Sequence, residues 1–180
     1  MSKNVLLGVS GSIAAYKAAE LASTLIKRGH CVKVIMTENA AKFVTPLTFQ
    51  TITGNEVSVD GFAPVEHFDV QHISLVKWAD LAVIAPATAN VIAKIACGIA
   101  DDLLTTFMLA FPREKRRFIA PAMNTGMYEN AAVQDNLKLL EKRGFEIMEP
   151  REARLACGDT GKGAMMKTAD ILKRIEASAL

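Results

Sequence analysis

Short runs of β-branched and aliphatic residues alternate along the chain with longer stretches whose apolar positions recur at helical spacing. Residues 5–9 (Val-Leu-Leu-Gly-Val) read as a buried strand and residues 10–12 (Ser-Gly-Ser) as a turn. Residues 13–28 place Ala14, Ala18, Leu21 and Leu25 at helical intervals, and Gly29 stands where a helix would end. Residues 31–36 form a second expected strand, and 39–53 an expected helix in which Pro46 opens a new turn. A short helix ends near Trp78, 81–85 is a buried strand, and helices follow over 90–97 and 101–111. Residues 117–120 predict a strand, 130–143 a helix and 145–148 a last strand. A loop over 149–163 then leads to a closing helix over 168–177. Residues 57–71, with Asp60, Gly61, Pro64 and Asp69, predict an irregular crossover.

Strands separated by helices in this way imply βαβ units, hence an α/β fold with a doubly wound parallel sheet in three layers. No repeat, low-complexity tract or linker interrupts the pattern, so residues 1–180 are expected to form a single domain. A chain of 180 residues buries roughly 70% of its unfolded surface. Half of the residues are apolar (51%) but only 6% are aromatic, so the core must rest on Ala, Val, Ile and Leu.

Charge removes several function classes. The 21 basic and 19 acidic residues leave a net charge of +2, which gives no footprint for nucleic acid or a membrane surface. The basic run 113–117, broken by Glu114, is expected to solvate a loop. No stretch approaches the roughly 18 to 20 apolar residues that cross a bilayer, and the first residues lack the apolar segment of a secretion signal. Cys31, Cys97 and Cys157 are spaced too widely for a disulfide framework or a zinc site, so a reducing cytoplasm is expected and no metal is. Cys97, in Ile-Ala-Cys, has the surroundings of a buried structural thiol.

In open α/β sheets, ligands settle beyond the carboxyl ends of the strands, so the residues just after each strand are the candidates. After the first come Ser10, Gly11 and Ser12, where small residues and hydroxyls can meet a phosphate at a helix N-terminus. The spacing is neither the dinucleotide fingerprint nor a Walker loop, and a tight turn with a capping serine has the same sequence. Thr37 follows the second strand, and Thr88, Ala89 and Asn90 follow the strand 81–85; each is a cap or a ligand contact. His72 lies at the start of the short helix, where it is structural or a base near neutral pH. Asn124 can donate to a carboxylate without a full charge or simply open a turn; Met123 and Met127 are core, or a soft lining for a flat ring or a thiol. Cys157, among Gly158, Gly161 and Gly163, is expected on a mobile flap able to carry a proton donor.

These segments in order resemble the homo-oligomeric flavin-containing cysteine decarboxylases over nearly the whole chain. Gly-Ser-Ile-Ala-Ala-Tyr-Lys (11–17) is similar to the family's first turn and helix, and His-Ile-Ser-Leu (72–75) to its histidine motif. Pro-Ala-Thr-Ala-Asn (86–90) resembles its Pro-Ala-Ser-Ala-Asn-Thr segment, and residues 121–128 its Pro-x-Met-Asn-x-x-Met-Trp segment. Thr88, Val91 and Tyr128 depart from the family's Ser, Thr and Trp, and Val91 loses a hydroxyl.

The resemblance implies a flavodoxin-like fold, assembled as homotrimers or as a dodecamer of four trimers with the site between subunits. It implies FMN against Gly11, Ser12, Ile13, Thr37, Phe43, Thr88, Ala89, Asn90, Val91 and Ala122. His72 would act as base, Asn124 would hold the departing carboxylate with Met123 and Met127 beside the substrate, and Cys157 would supply a proton. The implied reaction converts 4'-phosphopantothenoyl-cysteine to 4'-phosphopantetheine through a thioaldehyde and an ene-thiol, in coenzyme A biosynthesis. A separate synthetase chain would supply that substrate.

Three alternatives stay open at this point. They are oxidative decarboxylation of a peptide's C-terminal cysteine, against which Cys157 argues; a flavin prenyltransferase, for which no motif speaks; and a non-catalytic binding module of the same fold.

Overall fold

The computed structural model describes residues 2–59 and 71–177. Of the irregular crossover expected over 57–71, residues 57–58 form a short strand and Gln71 opens a helix, while residues 60–70 lie outside the described residues. Six strands, β1 (Asn4–Val9), β2 (Cys31–Met36), β3 (Val57–Ser58), β4 (Leu81–Ala87), β5 (Arg116–Pro121) and β6 (Glu146–Ile147), form one parallel sheet in the order β3-β2-β1-β4-β5-β6. Without the two-residue β3, this is the order of flavodoxin-like sheets, and the chain reverses direction across the sheet between β1 and β4. That reversal makes the carboxyl ends of β1 and β4 the natural crevice.

Both faces of the sheet are covered, and so β1 is apolar at nearly every position. Val5, Leu7 and Val9 enter one cluster with α1 (Ala15–Lys27), Phe49 of α3 (Pro46–Thr53) and α9 (Thr168–Ala177). Leu6 enters the other, with α4 (Gln71–Trp78), α5 (Ala89–Cys97), α6 (Leu103–Ala110) and α8 (Ala131–Lys142). Ala15, Ala18 and Ala22 bury the inner face of α1 without bulk, which suits a core poor in aromatics.

The expected helices form, with local corrections. Arg28 caps α1 and Gly29 follows with φ +83°, as its glycine suggested. The helix expected over 39–53 is two: α2 (Glu38–Ala41) stops, and Thr45 and Pro46 start α3 afresh. Asn124 opens a short helix, α7 (Thr125–Glu129), that periodicity could not reveal. The largest correction concerns 149–163, which is no loop. It contains β7 (Arg151–Arg154) and β8 (Thr160–Ala164), paired antiparallel as a hairpin outside the main sheet. Among the described residues, no helix is long and apolar enough to cross a membrane.

The basic run 113–117 also reads differently in three dimensions. In a parallel α/β sheet the helices run against the strands, so their carbonyl ends collect at the sheet's amino edge, where cations are favourable. Lys115 Nζ donates to the carbonyls of Val76 and Ala79 at the end of α4. Arg117, only 5% exposed, donates from Nη2 to the Arg143 carbonyl that closes α8, at 2.7 Å. These cations stabilise helix ends instead of solvating a loop. Cys97 corrects in the other direction: it ends α5 and is exposed.

Candidate active site

The opposite edge gathers the helix N-termini. Thr37 caps α2, its Oγ1 accepting from the Ala40 N–H at 3.2 Å, and Thr88 caps α5 by accepting from the Val91 N–H. Ser12 Oγ accepts from the Ala14 N–H at 3.2 Å, just before α1. The capping role suspected for Thr37 and Thr88 is therefore real, whereas Ser12 makes a turn ahead of α1, whose N-cap, Ala14, offers no side-chain bond. Capping does not compete with ligand binding, because first-turn N–H groups beyond the cap still point outward without helical partners.

The crevice has a specific floor. Ser10 is fully buried; its hydroxyl donates to the Pro86 carbonyl at 2.7 Å and accepts from the Thr88 N–H at 3.0 Å. One side chain thus ties the end of β1 to the turn that starts α5. Next to it, a Cβ on Gly11 would lie 2.5 Å from Asn39 Cβ, so only glycine lets this turn close against α2. Ala122 is buried, and its N–H donates to the Ala87 carbonyl at 3.0 Å, which joins the ends of β5 and β4. Ile13 and Phe43, both more than half exposed, stand on the same rim. Val91 is buried, so only its main chain faces this edge.

Beyond β5, Asn124 and Cys157 meet. Asn124 Oδ1 accepts from the Gly126 N–H at 2.8 Å, which caps α7 and turns Nδ2 outward. That Nδ2 lies 3.4 Å from Cys157 Sγ, and the thiol in turn donates to Asp159 Oδ2 at 3.4 Å. Cys157 occupies the exposed tip between β7 and β8, closed by the Leu155 N–H to the Asp159 carbonyl (2.7 Å). Its glycines do more than loosen a flap. A Cβ on Gly161 would sit 2.4 Å from Thr125 Oγ1, and one on Gly163 2.2 Å from the Met123 carbonyl oxygen. These two glycines let β8 lie directly on the start of α7, with the Met123 N–H donating to the Gly163 carbonyl at 3.0 Å. Met123 is half-buried and Met127 half-exposed. Lys17 in the first turn of α1 has its pKa lowered, first by burial and then by the charge of Arg151 on β7.

His72 is the second residue of α4, whose Gln71 Nε2 donates to Ser58 Oγ at 2.8 Å. That anchors it at the carboxyl end of β3, on the same edge as the rest. In strand order, however, β3 and β5 are four positions apart, roughly 19 Å at about 4.8 Å per strand. Within one chain the fold brings Asn124 to Cys157 and sets His72 away from both.

Comparison with known proteins decides the family: the model of the family named Flavoprotein matches residues 1–180. This chain is a member of the Flavoprotein family. A probable phosphopantothenoylcysteine decarboxylase of Streptococcus mutans is 47% identical over 176 residues, covering 98% of this chain and 98% of that protein. The coenzyme A biosynthesis bifunctional protein CoaBC of Bacillus subtilis is 50% identical over 175 residues. The chain spans only 43% of the length of that bifunctional relative, against 97% of its own. Among solved structures, this flavoprotein resembles a cysteine-to-serine mutant of PPC decarboxylase complexed with pantothenoylaminoethenethiol. The TM-score is 0.89 at 34% identity, over 99% of this chain and 98% of that one. The FMN binding protein AtHal3 superposes with TM-score 0.86 at 34% identity, over 99% and 97%.

Several contacts of this site do not show in the sequence. Ser10 is a candidate phosphate contact in the sequence, and nothing in one sequence announces that its hydroxyl is instead a strap between strands. Asp159, Glu149 and Lys162 belong to a hairpin that the pattern does not show.

Proposed function

We propose that this chain decarboxylates 4'-phosphopantothenoyl-cysteine to 4'-phosphopantetheine in coenzyme A biosynthesis, with FMN as cofactor. The observation that carries the reading is the amide–thiol pair of Asn124 and Cys157 held beside a crevice built for an anion. The likeness to the Streptococcus mutans relative over the full length of both chains supports the substrate.

The crevice fits FMN. Its phosphate suits the N-termini of α1, α2 and α5, which meet at the carboxyl ends of β1, β2 and β4. Gly11, Ser12, Ile13, Thr37, Phe43, Thr88, Ala89, Asn90 and Ala122 would hold it, with Val91 contributing its main chain alone. When bound, FMN supplies a two-electron acceptor that can later return the pair.

The chain's own residues handle carboxylate and protons. Asn124 Nδ2 donates to the substrate carboxylate without a full positive charge, so it orients the group yet does not stabilise it against departure. His72 takes the thiol proton. Cys157, at hydrogen-bond distance from Asn124, delivers a proton to the neighbouring carbon of the ene-thiol; together with the electron pair that bound FMN would return to the sulfur-bearing carbon, this gives the saturated thiol without net oxidation. The ligand of the related PPC decarboxylase mutant is by its name an aminoethenethiol, which supports an ene-thiol at this stage.

Because His72 and Asn124 lie on opposite halves of the sheet, a complete site needs a second copy, as in a homotrimer or a dodecamer of trimers. Exposed Ile13, Tyr16, Phe43 and Leu47 give such a contact apolar area. The free thiols of Cys31, Cys97 and Cys157 suit the cytoplasm, where a separate synthetase would supply the substrate.

The test is anaerobic turnover of phosphopantothenoyl-cysteine beside a peptide ending in cysteine, following CO₂, product mass and flavin absorbance. A flavin-bearing protein that releases CO₂ from the first and forms 4'-phosphopantetheine supports the proposal. Flavin-bearing protein that acts only on the peptide, or on neither, overturns it.

A further inference from the structure

Tyr128, on α7, is 5% exposed, and its hydroxyl donates to Glu149 Oε2 at 3.0 Å. Glu149 stands just ahead of β7, and its Oε2 also lies 2.5 Å from Lys162 Nζ on β8. The same ammonium sits 5.4 Å from the centre of the Tyr128 ring. Three elements thus converge on one carboxylate: the helix that Asn124 caps, the chain entering the hairpin, and the strand leaving it.

The position of Lys162 matters. It lies between Gly161 and Gly163, the residues whose lack of a Cβ lets β8 rest on residues 123–125. Close main-chain approach alone fixes a strand poorly, because glycine-rich backbone retains much freedom. A charged pair joined to a buried phenol supplies what those glycines lack. Burial raises the pKa of Tyr128, helped by the Glu149 carboxylate, and the Lys162 hydrogen bond lowers that of Glu149. Lys162 is raised in turn by its bond to Glu149. The trio is therefore phenol, carboxylate and ammonium throughout the neutral range.

We propose that Tyr128, Glu149 and Lys162 form a latch of positioning residues that seats the β7–β8 hairpin on α7 and so holds the Cys157 thiol at Asn124. None of the three touches the reacting atoms. Their effect falls on how often the hairpin tip is in place, and hence on the step that uses Cys157. That last clause rests on the function proposed above; the seating of the hairpin does not.

The test separates the two. In the purified FMN-loaded protein, hydrogen–deuterium exchange is followed at the amides of Leu155 and Gly158, which close the hairpin tip. Modification of Cys157 by a bulky disulfide reagent is followed by peptide mass mapping, which distinguishes it from Cys31 and Cys97. Lys162→Met and Tyr128→Phe should each speed both readouts by about three- to tenfold, the range for losing one charge-assisted contact. Lys162→Arg, which keeps a cation facing Glu149, should restore most of the protection. Thermal melting within a few degrees of wild type shows that the chain is folded; should Tyr128→Phe melt lower, the exposed Lys162→Met carries the measurement. Unchanged exchange and thiol reactivity in a folded Lys162→Met protein overturn the latch.

Turnover gives the second arm. Both variants should release CO₂ at nearly the wild-type rate with little change in KM, while the fraction leaving as ene-thiol rises several-fold. A loosened hairpin with an unaltered product ratio would preserve the seating and overturn its link to Cys157. Loss of all activity in wild type would overturn the proposed reaction and leave the exchange result standing.

Discussion

Asn124 Nδ2 lies 3.4 Å from Cys157 Sγ, although 33 residues separate the two in the chain. Asn124 is fixed by its own cap on α7, and Cys157 by a hairpin seated on the same helix. One short helix therefore positions both groups.

That shared support makes the two roles of Asn124 separable. Asn124→Asp keeps an oxygen for the Gly126 N–H but replaces the outward donor with negative charge, so melting should change little while CO₂ release falls at least about a hundredfold. Asn124→Ala removes the cap as well and should cost about 1 kcal/mol of stability in addition. Calorimetry and CO₂ release, measured on both variants, check the pair.

Cys157→Ser should still release CO₂ yet accumulate an ene-thiol product, detected by mass, with the flavin left reduced under anaerobic conditions. Wild-type yield of 4'-phosphopantetheine from this variant would remove Cys157 from the proposed proton transfer.

Gly163→Ala tests the seating by steric means. Its methyl would fall 2.2 Å from the Met123 carbonyl oxygen, an approach that main chain can relieve only by moving. Flavin retention should largely persist, because the bonds that tie β1 to the start of α5 run through Ser10 and not through β8, while turnover to the final product should drop about tenfold or more. Flavin absorbance and product mass on one preparation distinguish these outcomes.

Much of this architecture could be read from the sequence, for a physical reason. Strands buried on both faces, such as residues 5–9 and 81–85, are continuous apolar runs, and α1 shows its buried stripe openly. The hairpin escaped because Arg-Glu-Ala-Arg and Thr-Gly-Lys-Gly-Ala have no alternation of apolar and polar residues, and Thr160 is their one β-branched residue. Two glycines let its main chain lie against α7, and no hydrophobic pattern records such contact. The candidate residues after each strand did fall at the carboxyl edge, since topology puts them there. Their partners did not show: Tyr128 with Glu149, or Ser10 with Pro86, are pairings between distant segments. The exposure of Cys97 and the burial of Arg117 followed from helix ends meeting at the amino edge, a property of the assembled sheet.

His30 gives a pH dependence. It is 7% exposed, accepts the Lys3 N–H at Nδ1 (3.3 Å), and burial lowers its pKa; Glu176 opposes this, while Lys3 and the N-terminal amine assist. A depressed histidine pKa means the unfolded chain takes up a proton first, so stability should fall as pH drops below the ordinary histidine value of about 6.5. The slope from this group is at most about 1.4 kcal/mol per pH unit. Urea midpoints measured between neutral pH and pH 5 should decline in wild type and decline less in His30→Gln.

Ser10→Ala should destabilise the protein by about 1–3 kcal/mol, because the Pro86 carbonyl and Thr88 N–H would both lose a buried partner. Thermal melting compared with an exposed control, Thr24→Ala, checks this.

The same serine couples two walls of the crevice. Its hydroxyl is engaged on both sides, so the turn after β1 and the start of α5 cannot shift independently, and a change that loosens either bond moves both walls together.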